Sequence, residues 1–426
     1  MTWLVIIVFC VLAFAGMPLA FALGFASLAA LYAADFELVM MAQRMLHAVD
    51  NFPLMAIPLF MLAGELMVKA GMMERLVAFA NSLVGRVHGG LAHVTIIAGT
   101  ILASVSGAAV ASASALGSAL VPALRKHYPD SFNCAVIASA ANLGPVIPPS
   151  NAMIVYALMA GSSVSVGGLF MAGIVPGVLL ALGFIGIASF VSWRRKYPPT
   201  GEAFNARNAW VQFRKAHIIL FMPIIVVGGI IGGVFTATEG AAIAVVYSGV
   251  VGLLVTRKLR LSDLPGCLFR AAVTASMVGA LIALAATVTF LLTVDMVPQQ
   301  MADWVKSMTA DPMVFVLLTM LLLVVVGMFM ESNAAYIMLV PLFVPIADAF
   351  GLDPLWFGFL FMFNLVIGMM TPPVGVLFFV MSGITRVPMG AIIRESMPFV
   401  IFQFVMLLLC VAFPSIVTAL PRALGF

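Results

Sequence analysis

The chain has 426 residues, of which 64% are hydrophobic and only 8% charged, and its mean hydropathy is +1.20. A soluble domain is about half apolar and about a quarter charged, so a soluble fold of this length would lack the polar surface to cover itself. The chain reads as an all-α polytopic membrane protein; its formal charge of +4 comes from basic residues spread over loops, with no basic face for nucleic acid.

The first apolar run, Trp3 to Ala34, lacks a basic start and is too long for a signal core. It reads as a retained membrane segment, either one long helix or two elements. A membrane helix needs about 20 mostly apolar residues, and single spans are expected near 52–70, 170–193, 217–235, 239–256, 269–293 and 396–420. The apolar stretches 90–124, 132–160, 313–350 and 355–384 are interrupted by Gly, Pro, Ser and Asn. Glu65 is expected to pair with Lys69 one helical turn on, and Glu239 to sit solvated at a turn. Cys10, Cys134, Cys267 and Cys410 are far apart and read as small apolar side chains. His47, His88 and His93 show no metal-ligand spacing. Without an HExxH, GxSxG, Walker A or EF-hand pattern, nothing points to an enzyme or to ATP hydrolysis by this chain.

Basic residues set the orientation. They gather at Arg194, Arg195, Lys196, Arg207, Arg214 and Lys215, and again at Arg257, Lys258 and Arg260. Two spans separate these clusters, which places both on the cytoplasmic side. The loop holding Asp295, Asp303, Lys306 and Asp311 then faces outside. The polar stretch 194–215 divides the chain into a first half, 1–200, and a second, 217–426, joined by a cytoplasmic linker, 201–216.

The halves repeat their punctuation. Ser104-Val105-Ser106-Gly107, Gly144-Pro145-Val146-Ile147-Pro148-Pro149-Ser150-Asn151 and Pro176 recur in order as Gly327–Asn333, Gly368-Met369-Met370-Thr371-Pro372-Pro373-Val374-Gly375 and Pro398. Segment 88–124 has basic flanks at both ends, Arg86 and Arg125-Lys126, so both ends face the cytoplasm. It is a hairpin that enters and returns, or two complete spans. Segment 313–350 is flanked by Asp311, Asp348 and Asp353, and both of its ends face outside. Each is followed by a segment broken at Gly and a proline pair, 132–160 and 355–384. Proline removes an N–H and clashes with the carbonyl one turn back. Irregular backbone at membrane depth is tolerated where it lines a cavity or is buried in protein. Freed carbonyls are hard neutral ligands suited to a cation, and helix N-termini suit a carboxylate. Paired broken helices in inverted halves point to a secondary transporter's binding site. A plain kink is the alternative at either break alone. Glu331, at a hairpin tip, is an ionisable residue at membrane depth and a suspect for proton coupling.

The stretch Phe52-Pro-Leu-Met-Ala-Ile-Pro-Leu-Phe-Met-Leu-Ala-Gly-Glu65 resembles a signature of the large membrane subunit of TRAP (tripartite ATP-independent periplasmic) transporters. So do Ser106-Gly107-Ala-Ala-Val, Gly144 to Ser150, Leu169 to Gly177 and Thr371 to Gly375. The resemblance covers nearly the whole chain. It implies an elevator-type fold of the ion-transporter superfamily, in the cytoplasmic membrane of a bacterium or archaeon. The implied partners are a small four-helix membrane subunit and a periplasmic substrate-binding protein. The implied cargo is an organic acid (a C4-dicarboxylate, keto acid, sugar acid or sialic acid) driven by a sodium gradient. One Na⁺ site carries over to Ser104 or Ser106 with Gly144, Ile147 and Pro149, and a second to Gly327, Gly368, Thr371 and Val374. Ser150, Asn151 and Asn333 are the expected substrate contacts, from their polarity at the same cleft.

Overall fold

A computed structural model describes residues 1–84, 87–199, 204–309 and 311–426, and within these every side chain but those of 104–106 and 162. The first half contains α1 (Thr2–Phe14), α2 (Leu19–Ala33), α3 (Val39–Val49), α4 (Ala56–Lys69) and α5 (Met72–Val84). It continues through α6 (Gly90–Ser106), α7 (Ala109–Leu124), α8 (Asp130–Asn142), α9 (Asn151–Ala160) and α10 (Val166–Arg194). The second half contains α11 (Ala206–Ile231), α12 (Ala237–Val250), α13 (Leu264–Val294), α14 (Val297–Met308) and α15 (Pro312–Phe329). It ends with α16 (Ser332–Ala349), α17 (Pro354–Gly368), α18 (Val376–Thr385), α19 (Met389–Ala412) and α20 (Ser415–Ala423). Among the described residues, eight helices are by length and composition able to cross a membrane, and the two of the second hairpin, α15 and α16, are among them.

The N-terminal run is two helices. Gly16, at φ 87°, takes the left-handed conformation that a side chain disfavours, and Pro18 precedes α2. Two expectations need correction. Glu65 pairs with Arg270 at 2.7 Å and Lys69 with Asp263 at 3.6 Å, because α4 packs along α13 and each side chain finds its partner across that seam. The expected last span, 396–420, stops at Ala412, and a separate helix begins beyond Pro414. Within the linker 201–216, α11 already begins at Ala206, capped by the Asn205 side chain on Arg207 N at 2.9 Å; residues 201–203 lie outside the described residues. Glu239 is exposed and forms a capping box with Thr236 at the start of α12.

A shift of 224 residues, the separation of Asn142 and Val366, carries α5 onto α14, α6–α7 onto α15–α16, α8–α9 onto α17–α18 and α10 onto α19 and α20. The pairing extends to surface character. Both α5 and α14 are short and amphipathic, burying Met72, Leu76 and Ala80 in one case and Pro298 and Ala302 in the other.

Length and the place of its tip favour the entering-and-returning reading of segment 88–124. Helices α6 and α7 have 17 and 16 residues, about 25 Å at 1.5 Å per residue, short of a hydrocarbon core of about 30 Å. Arg125 at the base of this hairpin pairs with Asp130 at the start of α8, at 3.0 Å. Its tip reaches the far end of α8. The second hairpin repeats the arrangement: Phe315 near its base stacks on Phe350 and Phe357, with centroids 5.0 and 5.9 Å apart, and its tip reaches the end of α17.

Candidate functional site: two junctions of hairpin tip and broken helix

Helices α8 and α17 are the centre of the molecule. Every residue from Phe132 to Asn142 and from Trp356 to Gly368 is buried, including the polar Asn133, Ser139 and Asn142 of α8 and Asn364 of α17. Each then breaks. In the first break, Val146 and Ile147 N–H both turn back to Leu143 O. Pro148 and Pro149 cannot donate to Gly144 and Pro145 one turn earlier, and the bond between the two prolines is cis. Ser150 partly repairs the loss: its Oγ donates to Pro145 O at 2.7 Å and accepts from Met153 N, capping α9. In the second break, Thr371 N–H bonds to Gly368 O and Leu377 N–H to Met369 O. Thr371 Oγ1 donates to Ile367 O at 2.8 Å, and the bond between Pro372 and Pro373 is also cis.

Each break is pressed against the tip of its own hairpin, and glycine permits the approach. A Cβ on Gly144 would stand 2.7 Å from Ala103 O; one on Gly368 would stand 2.5 Å from Gly327 Cα. Ala103 and Gly144 have the same separation in sequence as Gly327 and Gly368. Gly107, at φ 60°, turns the first tip directly under the backbone N–H of Asn151. In the second junction Gly375 N–H donates to Met328 O at 3.3 Å. The half-helices beyond the breaks cross over: α9 packs on α16 and α18 on α7.

The expected site residues therefore gather at two equivalent places. Gly144 and Pro149 are buried and Ile147 half-buried at the first; Ser104 and Ser106 belong to the end of α6, and their side chains lie outside the described residues. Gly327, Gly368 and Thr371 are buried and Val374 half-buried at the second. Ser150 and Asn151 are buried at the start of α9. Asn333 is half-buried at the second tip, where its Nδ2 donates to Glu331 Oε1 at 2.9 Å. Glu331 caps α16, its carboxylate accepting the N–H groups of Asn333 and Ala334 at 3.0 and 3.4 Å. Its counterpart in the first repeat is Gly107.

Two polar residues at the site stood out in no motif. Asn142, the last residue of α8, donates from Nδ2 to Val366 O at 3.1 Å and to Gln403 Oε1 at 2.9 Å. Gln403 is buried on α19 and reaches Met370 Sδ at 3.6 Å. The signal for both was a lone amide inside an apolar run. The buried Oδ1 atoms of Asn142 and Asn333 accept no hydrogen bond among the described residues. A buried acceptor left unmet costs about 1–3 kcal/mol, so a ligand that supplied a partner would recover that energy. The histidines stay apart from the site: His93 Nε2 meets Ser189 Oγ at 2.8 Å, between α6 and α10.

Two inverted repeats, each a re-entrant hairpin closed on a broken and fully buried helix, define a secondary-transporter fold. The model of the family described as the tripartite ATP-independent periplasmic transporter, DctM component, matches residues 6–416, and the chain belongs to that family. It is 38% identical to the C4-dicarboxylate TRAP transporter large permease protein DctM of Pseudomonas aeruginosa, over 90% of each chain. It is 35% identical to the sialic acid TRAP transporter large permease protein SiaM of Vibrio cholerae, over 96% of each. In fold alone it is similar to the crystal structure of the Alcanivorax borkumensis YdaH transporter, at a TM-score of 0.65 and 15% identity over 91% of this chain and 89% of that one. The chain is a multi-pass transport protein of the cytoplasmic membrane and not an enzyme.

Proposed function

We infer that this chain is the translocation subunit of a sodium-coupled importer of small organic acids. The observation that carries the reading is the pair of equivalent junctions at which a hairpin tip closes on a broken helix. Each concentrates backbone carbonyls taken out of the regular helical ladder by proline; even where a turn or a hydroxyl gives one a replacement donor, a carbonyl oxygen keeps a second lone pair, and neutral oxygens of this kind suit an alkali cation. One Na⁺ is held by Gly144, Ile147 and Pro149 with Ser104 or Ser106. The other is held by Gly327, Gly368, Thr371 and Val374. The N-termini of α9 and α18 open from the same breaks and favour a carboxylate, with Ser150, Asn151 and Asn333 as hydrogen-bonding contacts. The transport unit of hairpins and broken helices slides as an elevator against the remaining helices. A small four-helix membrane subunit and a periplasmic binding protein complete the machine, and the binding protein selects the acid. Relatives named for C4-dicarboxylate, sialic acid and 2,3-diketo-L-gulonate transport support an organic acid as cargo. Proton coupling through Glu331 is the lesser reading, since its carboxylate is already occupied in capping α16.

The test is uptake into proteoliposomes that hold this chain with its small subunit, the binding protein outside, at fixed pH and voltage. A panel of dicarboxylates, keto acids and sialic acid is offered with and without an inward Na⁺ gradient. Uptake requiring both the gradient and the binding protein is expected. Uptake indifferent to Na⁺ would overturn the coupling.

A further inference from the structure

Away from the two junctions, a groove of about 700 Å³ runs between α10 and α19. Gly183 and Gly186 form its floor, Phe190 and Phe402 its walls, and Arg194 and Arg195 its rim. The basic cluster from Arg194 to Lys196 places that rim at the cytoplasmic surface. Leu182, Phe190 and Trp193 are exposed along the same helix, so the groove opens onto hydrocarbon, and Trp193 stands where aromatic side chains mark the headgroup region.

The two arginines differ. Arg195 donates to Glu395 Oε2 at 2.8 Å and to Tyr197 Oη at 3.2 Å. Arg194 is exposed and has no ion pair or hydrogen bond among the described residues. The floor differs too. Phe402 already fills the space over Gly183, whereas a Cβ on Gly186 would meet nothing within 4 Å. From Gly186 to Arg194 is about two helical turns, roughly 12 Å, most of one leaflet's half of a core about 30 Å thick.

We propose that this groove binds an anionic phospholipid of the cytoplasmic leaflet, its phosphate on the Arg194 guanidinium and one acyl chain over Gly186 between Phe190 and Phe402. Guanidinium pairs with phosphate through two parallel hydrogen bonds, and basic pockets between membrane helices on this side hold anionic headgroups. A partner helix fits less well. Close helix packing uses successive small residues, and the place over Gly183 is already taken. An apolar helix would also leave the charge of Arg194 unmatched.

The test uses the full chain purified with its small membrane subunit and exposed to phosphatidylglycerol or phosphatidylcholine. Retained lipid is measured by native mass spectrometry. One phosphatidylglycerol per chain is expected, with about tenfold less phosphatidylcholine, which offers Arg194 the same phosphate but brings a choline cation against the like charges of Arg194 and Arg195. Arg194→Gln, at an exposed side chain that nothing in the fold depends on, lowers phosphatidylglycerol retention about tenfold; Arg194→Lys keeps most of it. Gly186→Leu fills the floor and displaces the lipid. Equal retention of the two lipids, or unchanged retention in Arg194→Gln, would overturn the proposal. So would protection of Gly186→Cys from a maleimide by the small subunit in preparations that hold no lipid.

Discussion

Asn142 donates a 3.1 Å hydrogen bond to the carbonyl of Val366, and the two residues are the same position of the two repeats. Gly144 lies two residues beyond the first and Gly368 two residues beyond the second, so the repeats touch one step before both breaks. The contact is symmetric in position and asymmetric in chemistry: one repeat supplies an amide side chain, the other only a backbone oxygen. Gln403 accepts the second proton of the same Nδ2 group, which ties α19 to the meeting point.

Asn142→Ala removes both hydrogen bonds and strands Val366 O and Gln403 Oε1 in a buried place. A loss of about 1–3 kcal/mol of stability is expected, read as a lower melting temperature in detergent. Gln403→Ala alone costs less, because Val366 O keeps its donor. Since the two side chains share one bond, a double-mutant cycle should give a coupling of about 0.5–3 kcal/mol. Additive losses would show that the Asn142–Gln403 contact carries no energy.

Gly368→Ala sets a methyl against the backbone of Gly327, and Gly144→Ala sets one against the backbone of Ala103. Backbone cannot yield as a side-chain tip can, so the hairpin tip must move off the break. Transport in either variant should fall at least about tenfold, the scale of a displacement near 1 Å at a positioned site. Gly249→Ala on α12 has open space around its Cβ; it should transport normally and hold or gain up to about 1 kcal/mol of stability.

Much of this was legible because proline and glycine act locally. Pro148-Pro149 and Pro372-Pro373 forbid regular helix wherever they stand, so both breaks could be placed from the sequence, and the charges at Arg125, Asp311 and Asp353 gave the ends of the hairpins. What pairs across space was not legible. Glu65 has Lys69 one turn away in sequence, yet its partner is Arg270 on α13. Asn142 and Gln403 are single amides in apolar runs, and their meeting depends on how α8, α17 and α19 cross. Gly16 and Pro18 were visible too, but whether they ended a helix or only bent one is a question of tertiary packing.

Glu331→Gln tests the role of the second tip. As a cap of α16, the residue needs an acceptor oxygen and not a charge, so the variant should import with the pH dependence of the parent. Glu331→Ala, which loses the cap, should cost about 1 kcal/mol. Import that loses its pH dependence in Glu331→Gln would favour proton coupling.

Asp295 gives a pH-dependent contact outside the membrane. Hydrogen bonds from the Thr2 hydroxyl and backbone N–H, at 2.7 and 2.8 Å, hold its carboxyl below the usual carboxylate range. A depressed folded pKa stabilises the native state above the unfolded carboxylate's pKa, and that contribution is lost as pH falls through the folded value. Seating of α1 on the end of α13 should therefore weaken on acidification, and Asp295→Asn should remove that dependence. Hydrogen exchange over residues 2–14 between neutral and acidic pH measures it.

The most direct measurement is thermal unfolding of the purified chain across a Na⁺ titration at constant ionic strength, with K⁺ in exchange. A cation that binds the native state alone raises its stability by RT ln(1 + [L]/Kd). The melting temperature is expected to rise with Na⁺ and not with K⁺. The rise should shrink when either junction is altered, by Gly144→Ala in one repeat or Thr371→Ala in the other. An identical response to Na⁺ and K⁺, or a Na⁺ response untouched by both substitutions, would contradict a sodium site built from the paired breaks.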